Sequence, residues 1–409
     1  MEVMHCRCAG LDVHKKSVVA CALVGEAGKA PEAFRRSFGT VTRALLELHD
    51  WLRDLGVSHV AMEATGTYWK PVWAILEENF DLTLSNAAHI KQVPGRKTDQ
   101  KDADWIADLL RHGLLKKSFV PRLPQQDLRE LTRHRIQVTG HRSAVSNRIS
   151  KLLEGANIKL GSVASDVMGV SGQRILDALV AGESDPEKLA ELAVGNLRKK
   201  QEALVEALRG RVRAHHRTML RLLLAEWRFL DQLLLETERA IEEAVRPFLE
   251  ATTLLQTMPG MKATAAYSLV AELGENMEVF PDGAHAASWA GICPGNHESA
   301  GKRYSGRTRN GNRWLKRILC QVAWAASHTR GSYFQAQHRR IAAKRGKKRA
   351  IVALAHSILV TAYTMLKRNC SYQDLGPDYF ERINAEGLKR YCIRKLEQLG
   401  HRVVLETAA

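Results

Sequence analysis

Acidic residues are in short supply in this chain: 44 Asp plus Glu stand against 61 Lys plus Arg in 409 residues, a formal net charge of +17. Such an excess argues against a cationic partner and for a polyanion, DNA or RNA first. Cysteine is scarce and odd in number, seven in all, which argues against the paired framework of a small secreted domain. Cys6 and Cys8 form a lone C-x-C beside His5, and no second ligand pair follows at finger spacing, so these read as reduced cytosolic thiols rather than a zinc site. Long apolar runs are missing too. The longest, IVALAHSILVTAYTML, is too short for a bilayer and carries a His, which predicts a buried helix and no membrane partner. The N-terminus lacks the pattern of a signal peptide, giving a cytoplasmic expectation. No internal repeat stands out. The first 125 residues also lack glycine-rich nucleotide-phosphate loops, Gly66 in EATGTYW being a poor substitute, which argues against an actin-like phosphotransferase.

Where acids do occur, their placement is informative. Asp12 sits inside the apolar run AGLDVHKKSVVACAL, Glu63 closes VSHVAME, and Asp99 and Asp102 lie three apart in GRKTDQKDADWIADLL. Acids aimed from strand-like segments of a basic protein suit a hard divalent cation, Mg²⁺ or Mn²⁺, which prefers carboxylate oxygen and can clamp both oxygens of a phosphate displacement. Asp104 and Asp108 read instead as the solvated face of the same helix.

The length predicts two or three domains. Residues 1–125 read β-β-β-α-β-α-β-α, the order of a ribonuclease H-like α/β fold, with Thr40 or Thr42 capping the first helix and Gly56 ending it. Residues 126–250 read as helical. Their first part is basic, and Arg129, Arg133, Arg142 and Arg148 are candidates for phosphate contact, the alternative being a solvated helix face. A later stripe, Leu220, Leu223, Trp227, Leu230, Leu234, Ile241, Val245 and Phe248, has coiled-coil-like spacing; its partner is either this chain or a second copy. Residues 251–409 read as mostly helical. LLQTMPGMKATAAYSLVAELG resembles a helix-hairpin-helix, or equally a plain helical corner. After it, GICPGNHESAGKRYSGRTRNGNRW places Ser299, Tyr304 and Ser305 among Lys302, Arg303, Arg307 and Arg309. A hydroxyl ringed by cations suits attack on a phosphodiester, and equally a loop whose serines only hydrogen-bond a phosphate.

Taken together, LDVHKKSVVACAL, MEATGTYW, GRKTDQKDADWIADLLRHGLL, TMPGMKATAAYSLVAELG and GICPGNHESAGKRYSGRTRNGNRWLKR resemble, in that order, the DEDD insertion-sequence transposases, relatives of the pilin-gene invertases. The resemblance implies a RuvC-like N-terminal domain, a coiled-coil middle and a C-terminal transposase domain with a catalytic serine. It carries the metal-binding acids onto Asp12, Glu63, Asp99 and Asp102, and the serine onto Ser299, with Ser305 as the alternative. It further implies donor and target DNA, a structured bridge RNA that guides them, a nucleoid-associated bacterial setting, and Mg²⁺-dependent strand transfer. A homo-oligomer, dimer or tetramer, is expected, with acids of one protomer meeting Ser299 of another. The rival readings are a RuvC-like nuclease using metal-activated water and a non-catalytic nucleic-acid scaffold.

Overall fold

The computed structural model describes residues 2–64, 66–92, 102–294, 297–308 and 310–404. It divides into two compact units, Met1–Pro121 and Arg122–Ala409.

The first unit is built on one mixed sheet. Its elements run β1 (Arg7–Val13), β2 (Ser17–Val24), β3 (Glu32–Gly39), α1 (Thr42–Asp54), β4 (His59–Glu63), α2 (Trp69–Leu76), β5 (Asp81–Ser85), α3 (Ala87–Gln92) and α4 (Asp102–Arg111). The strand order is β3-β2-β1-β4-β5; β1, β2 and β3 are antiparallel neighbours, and β4 and β5 run parallel to β1. Side chains of a strand alternate between faces. Ala9, Leu11 and Val13 therefore join the core shared with Leu45, Leu48 and Leu52 of α1, while Cys8 joins the core beneath α4. With helices on both faces, the central strands are apolar almost throughout. Gly56 ends the first helix as expected, in the left-handed region at φ 66°. Its start differs from the expectation: Val41 is the N-cap and no side chain caps it, because the Thr40 hydroxyl donates to the Lys15 carbonyl at 3.1 Å.

Gly10 fixes how α4 meets the sheet. A Cβ on Gly10 would stand 2.3 Å from both the Ala103 carbonyl oxygen and the Ala107 nitrogen. Helix and strand backbones touch here, with small residues on both sides. Gly10→Ala is expected to lift α4 off β1 and to destabilise the first unit by about 1–3 kcal/mol, the range for overpacking a tight core. Thermal unfolding followed by circular dichroism checks this; an unchanged Tm would refute the contact.

Among the described residues, the second unit is helical apart from one hairpin. Helix α5 (Leu123–Gly155) leads into α6 (Leu160–Val163), α7 (Val170–Ala181), α8 (Pro186–Glu191) and α9 (Gln201–Leu208). Then α10 (Ala214–Ala244) returns along α5. After it come α11 (Leu249–Gln256), α12 (Ala263–Leu273), α13 (Gly283–Trp289), strands β6 (His297–Ser299) and β7 (Lys302–Ser305), α14 (Arg313–Ser327), α15 (Tyr333–Arg345), α16 (Lys347–Arg368), α17 (Tyr379–Ile383) and α18 (Ala385–Gln398). Two cores share this unit. One holds the C-terminal half of α5 and the N-terminal two thirds of α10 with α6 to α9; the other holds the start of α5 and the end of α10 with α11 to α16. The α16 helix, apolar and long enough in composition to span a membrane, turns Leu354, Ile358, Leu359 and Ala362 into the second core.

The seam on α10 is answered within the chain. Leu220, Leu223, Trp227, Leu230 and Leu234 pack in one core with Val138, Val145, Ile149 and Leu153 of α5. The Trp227 indole N–H also donates to Ser146 Oγ at 3.0 Å. Pairing with a second copy through this stripe is therefore replaced by an internal antiparallel hairpin.

Candidate active site

Asp12 and Glu63 leave neighbouring strands side by side. Leu11 pairs with Met62 in the parallel β1–β4 ladder, so each acid is the next residue along, at the carboxyl end of its strand. Ala61 lies in the core under α4 and Met62 in the opposite one, which returns Glu63 to the α4 face with Asp12. Asp102 opens α4, one residue before the Ala103 carbonyl that meets Gly10. Sheet alternation and one close backbone contact thus bring three of the four expected acids to a single region. Asp99 lies outside the described residues.

Their electrostatics agree with that convergence. Burial raises the pKa of Asp12 above the ordinary carboxylate value; Asp102 and Glu63 push it the same way, while His14 opposes them. His14 Nε2 stands 3.0 Å from Asp12 Oδ2. Among the described residues, no three His, Cys, Asp or Glu side chains already form a metal-holding group. Asp104 is not on a solvated face: it is 16% exposed and accepts the Arg35 Nε–H of β3 at 3.0 Å on both oxygens.

Ser299 sits at the tip of a hairpin. It ends β6 and pairs with Lys302, leaving Ala300 and Gly301 as a two-residue turn, both at positive φ, 50° and 74°. That is the pattern of a type I′ hairpin, which matches strand twist and wants glycine or asparagine at both central positions. An alanine there costs about 1–2 kcal/mol. The Ser-Ala-Gly spacing is therefore the spacing of this turn. Ser305 lies at the far end of β7, paired with His297 across an irregular register. Lys302 and Arg307 are exposed, Arg303 belongs to β7, and Arg309 lies outside the described residues.

The hairpin rises from a lobe that is pinned at its base. A Cβ on Gly311 would stand 2.4 Å from the Gly291 nitrogen, so the two ends of the lobe touch through backbone. Pro294 and Thr308 form a bridge above that contact. Asn312 then caps α14, its Oδ1 accepting the N–H groups of Trp314 and Leu315 at 3.0 and 3.1 Å. Its amide Nδ2 donates to Glu272 Oε2 at 2.6 Å.

Glu272 is the residue that sequence reasoning missed. It is only 2% exposed, yet charged. Arg133 donates to its two oxygens at 2.6 and 2.8 Å, and the Arg129 guanidinium stands 3.6 Å away. Arg129 also donates to the carbonyls of Ala271 and Glu272 at 2.9 and 2.8 Å. Burial lowers its pKa to about 10. The signal was present in VAELG, an acid within an apolar helical run.

The basic face of α5 proves to be occupied. Besides Arg129 and Arg133 on Glu272, Arg142 is paired with Asp231, and Arg148 with Glu226 at 2.6 Å. Arg135 reaches Glu238, also at 2.6 Å. All four arginines expected to contact phosphate have carboxylate partners in the chain. Phosphate contact by these side chains would first have to break ion pairs.

Two stretches of the chain match models of known families. Residues 9–158 match a transposase model of the DEDD type. Residues 252–339 match the model described as the transposase IS116/IS110/IS902 family. A curated relative, the insertion element IS110 uncharacterized 43.6 kDa protein of Streptomyces coelicolor, is 32% identical over 152 residues. That alignment covers 35% of this chain and 36% of the relative, so the chain spans about a third of that protein's length. The first match contains Asp12, Glu63, Asp99 and Asp102; the second contains Glu272 and Ser299.

Proposed function

We infer, from the premise that this chain belongs to the insertion-sequence transposases of the IS110 type, that it cuts and rejoins DNA with a serine nucleophile and a carboxylate-held divalent metal. The observation that carries the reading is the gathering of Asp12, Glu63 and Asp102 at one end of the sheet, with the charge of Asp12 opposed by the other two. The sheet order, three antiparallel strands followed by two parallel ones, supports the ribonuclease H-like assignment.

The donor set fits a hard divalent cation. Carboxylate oxygens are its preferred ligands, and burial first, then the neighbouring Asp102 and Glu63, raise the pKa of Asp12. Asp12, Glu63 and Asp102 would hold Mg²⁺ or Mn²⁺, with Asp99 as the fourth ligand. Bound there, the ion would supply positive charge to the scissile phosphate and would acidify an attacking oxygen. The remaining work falls to the chain. Ser299 Oγ bonds to phosphorus as the strand's bridging oxygen leaves with the electron pair of the broken P–O bond; the serine proton ends on that oxygen as the strand's free hydroxyl, and a phosphoserine diester remains. Attack on that diester by a free strand end reverses the step without external energy. Lys302, the cross-strand partner of Ser299, and Arg303, Arg307 and Arg309 supply positive charge to the phosphate.

The partners follow from the same reading: donor and target DNA, a structured bridge RNA that pairs with both, and further copies of the chain, since exchange needs several strands cut in one complex. The α10 seam is used internally, so assembly relies on other surfaces.

Trapping the adduct tests this function. Wild-type protein with Mg²⁺ and element-end DNA is expected to give a denaturation-resistant protein–DNA band whose modified peptide contains Ser299. Ser299→Ala is expected to remove the band and Ser305→Ala to keep it. Strand cutting without any adduct would favour the nuclease that uses metal-activated water. An adduct on Ser305 or Tyr304 would move the nucleophile.

A further inference from the structure

Between the neck of the β6–β7 lobe and helices α15 and α16 lies a cavity of about 650 Å³, a volume suited to a small organic ligand rather than a bare ion. Its walls divide by chemistry. Ile292, Val352 and Ala353 make an apolar side, Lys348 and Arg349 stand at the start of α16, and no Asp or Glu is among the described residues that line it. A cavity whose described charged residues are all positive disfavours a metal and selects an anion.

The polar part is set in advance. Gln337 Nε2 donates to Ser357 Oγ at 2.8 Å, and that hydroxyl donates to the Ala353 carbonyl at 3.3 Å. His356 lines the same space, and burial lowers its pKa, so near neutral pH it offers hydrogen bonds rather than charge. A phosphate with an attached ring satisfies all three parts of this surface: cations, apolar wall and neutral hydrogen-bonding groups.

The position supplies the substrate. Pro294 and Gly306 belong both to the cavity wall and to the root of the hairpin that carries Ser299. Whatever fills the cavity lies against that root. The α16 side of the cavity falls beyond residue 339, where the family match ends, so it is a feature read from this chain itself.

We propose that this cavity receives one nucleotide of the DNA strand being cut, its phosphate held by Lys348 and Arg349 and its base laid against Ile292, Val352 and Ala353. The proposal rests on the reading of the hairpin as the carrier of the nucleophile. Lys348 and Arg349 are then substrate-positioning residues, and the shape of the pocket biases which base stands beside the cut.

The full chain tests this with deoxyadenosine monophosphate in equilibrium dialysis and with a 5-iodouracil-substituted single strand in photo-crosslinking. Lys348→Ala with Arg349→Ala is expected to weaken mononucleotide binding by about tenfold or more, the worth of lost charge-assisted hydrogen bonds. Ala353→Phe, which fills the space without touching charge, is expected to do the same. Crosslinks should map to the peptide containing Val352 and His356, and both variants should cut DNA more slowly at unchanged Tm. Should Ala353→Phe fail to fold, the charge variant decides alone. Unchanged nucleotide binding in the folded variants overturns the proposal, as do crosslinks that arise only from RNA. Binding lost as expected in a protein that forms no serine adduct keeps the cavity and removes the recombinase reading. A wild-type cutting rate in Ala353→Phe removes the cavity and leaves that reading intact.

Discussion

Asp12→Asn is expected to abolish strand cleavage while leaving the protein at least as stable as the wild type. The loss follows from the metal's share of transition-state stabilisation, several kcal/mol, so cleavage should fall by about a hundredfold or more. The stability half follows from linkage. Burial, Asp102 and Glu63 hold the folded Asp12 pKa above its unfolded value of 3.8. Between those two values the folded state binds more protons than the unfolded one, so stability falls as pH rises through the window. Above it, at neutral pH, the ionised carboxylate remains a net cost to the fold. An amide removes that cost, though it keeps only part of the bond to His14. Thermal melts at pH 3 to 8 should show the wild type losing stability through the window and Asp12→Asn losing less. A variant that melts well below wild type at neutral pH would mean that Asp12 is structural.

Glu272→Ala is expected to cost about 3–5 kcal/mol, the range for removing one partner of a buried ion pair. Arg133 loses both of its charge-assisted bonds, and Arg129, 14% exposed, loses its countercharge. With the size of this unit, the Tm should drop by on the order of ten degrees. Two controls separate charge from shape. Glu272→Gln keeps an acceptor for Asn312 and should fall between wild type and Glu272→Ala. Adding Arg133→Ala to Glu272→Ala should recover part of the loss, because an unpaired, partly buried cation is removed. A loss below about 1 kcal/mol would mean that water reaches the arginines and the pair behaves as a surface one. Because Asn312 caps α14 and closes the serine lobe, the variant should also loosen the lobe, read as faster proteolysis between Ile292 and Asn312.

The sequence made the first unit legible because its signals are local. Short apolar runs marked the strands, Gly56 marked the end of α1, and acids within or at the ends of those runs suggested a site. What failed there was competition for single groups. Thr40 looked like a cap until Lys15 offered a carbonyl, and Asp104 looked solvated until β3 brought Arg35. In the second unit the composition of α5 left the partners of its arginines unread. The helix carries acids of its own, Asp127, Glu130 and Glu154, yet the countercharges its arginines find lie about 80 to 145 residues away, on α10 and at the end of α12. Gly10 and Gly311 were silent for a related reason: a glycine kept for a close approach shows nothing until the approaching backbone is known.

The α5–α10 hairpin also behaves as a ruler. Arg135–Glu238, Arg142–Asp231 and Arg148–Glu226 are rungs whose residue numbers sum to 373 or 374. Each rung is worth little in stability. As a set they act as a code. Slide α10 by one helical turn in one direction and the arginines face Leu234, Trp227 and Leu222; in the other, only Arg135 finds an acid, Glu242. Greasy stripes tolerate slippage by a turn; this pattern does not. The distance between the core at the α6–α9 end and the core beneath the serine lobe is thereby fixed in whole turns, so a displacement at one end has to appear at the other rather than dissipate along the shaft.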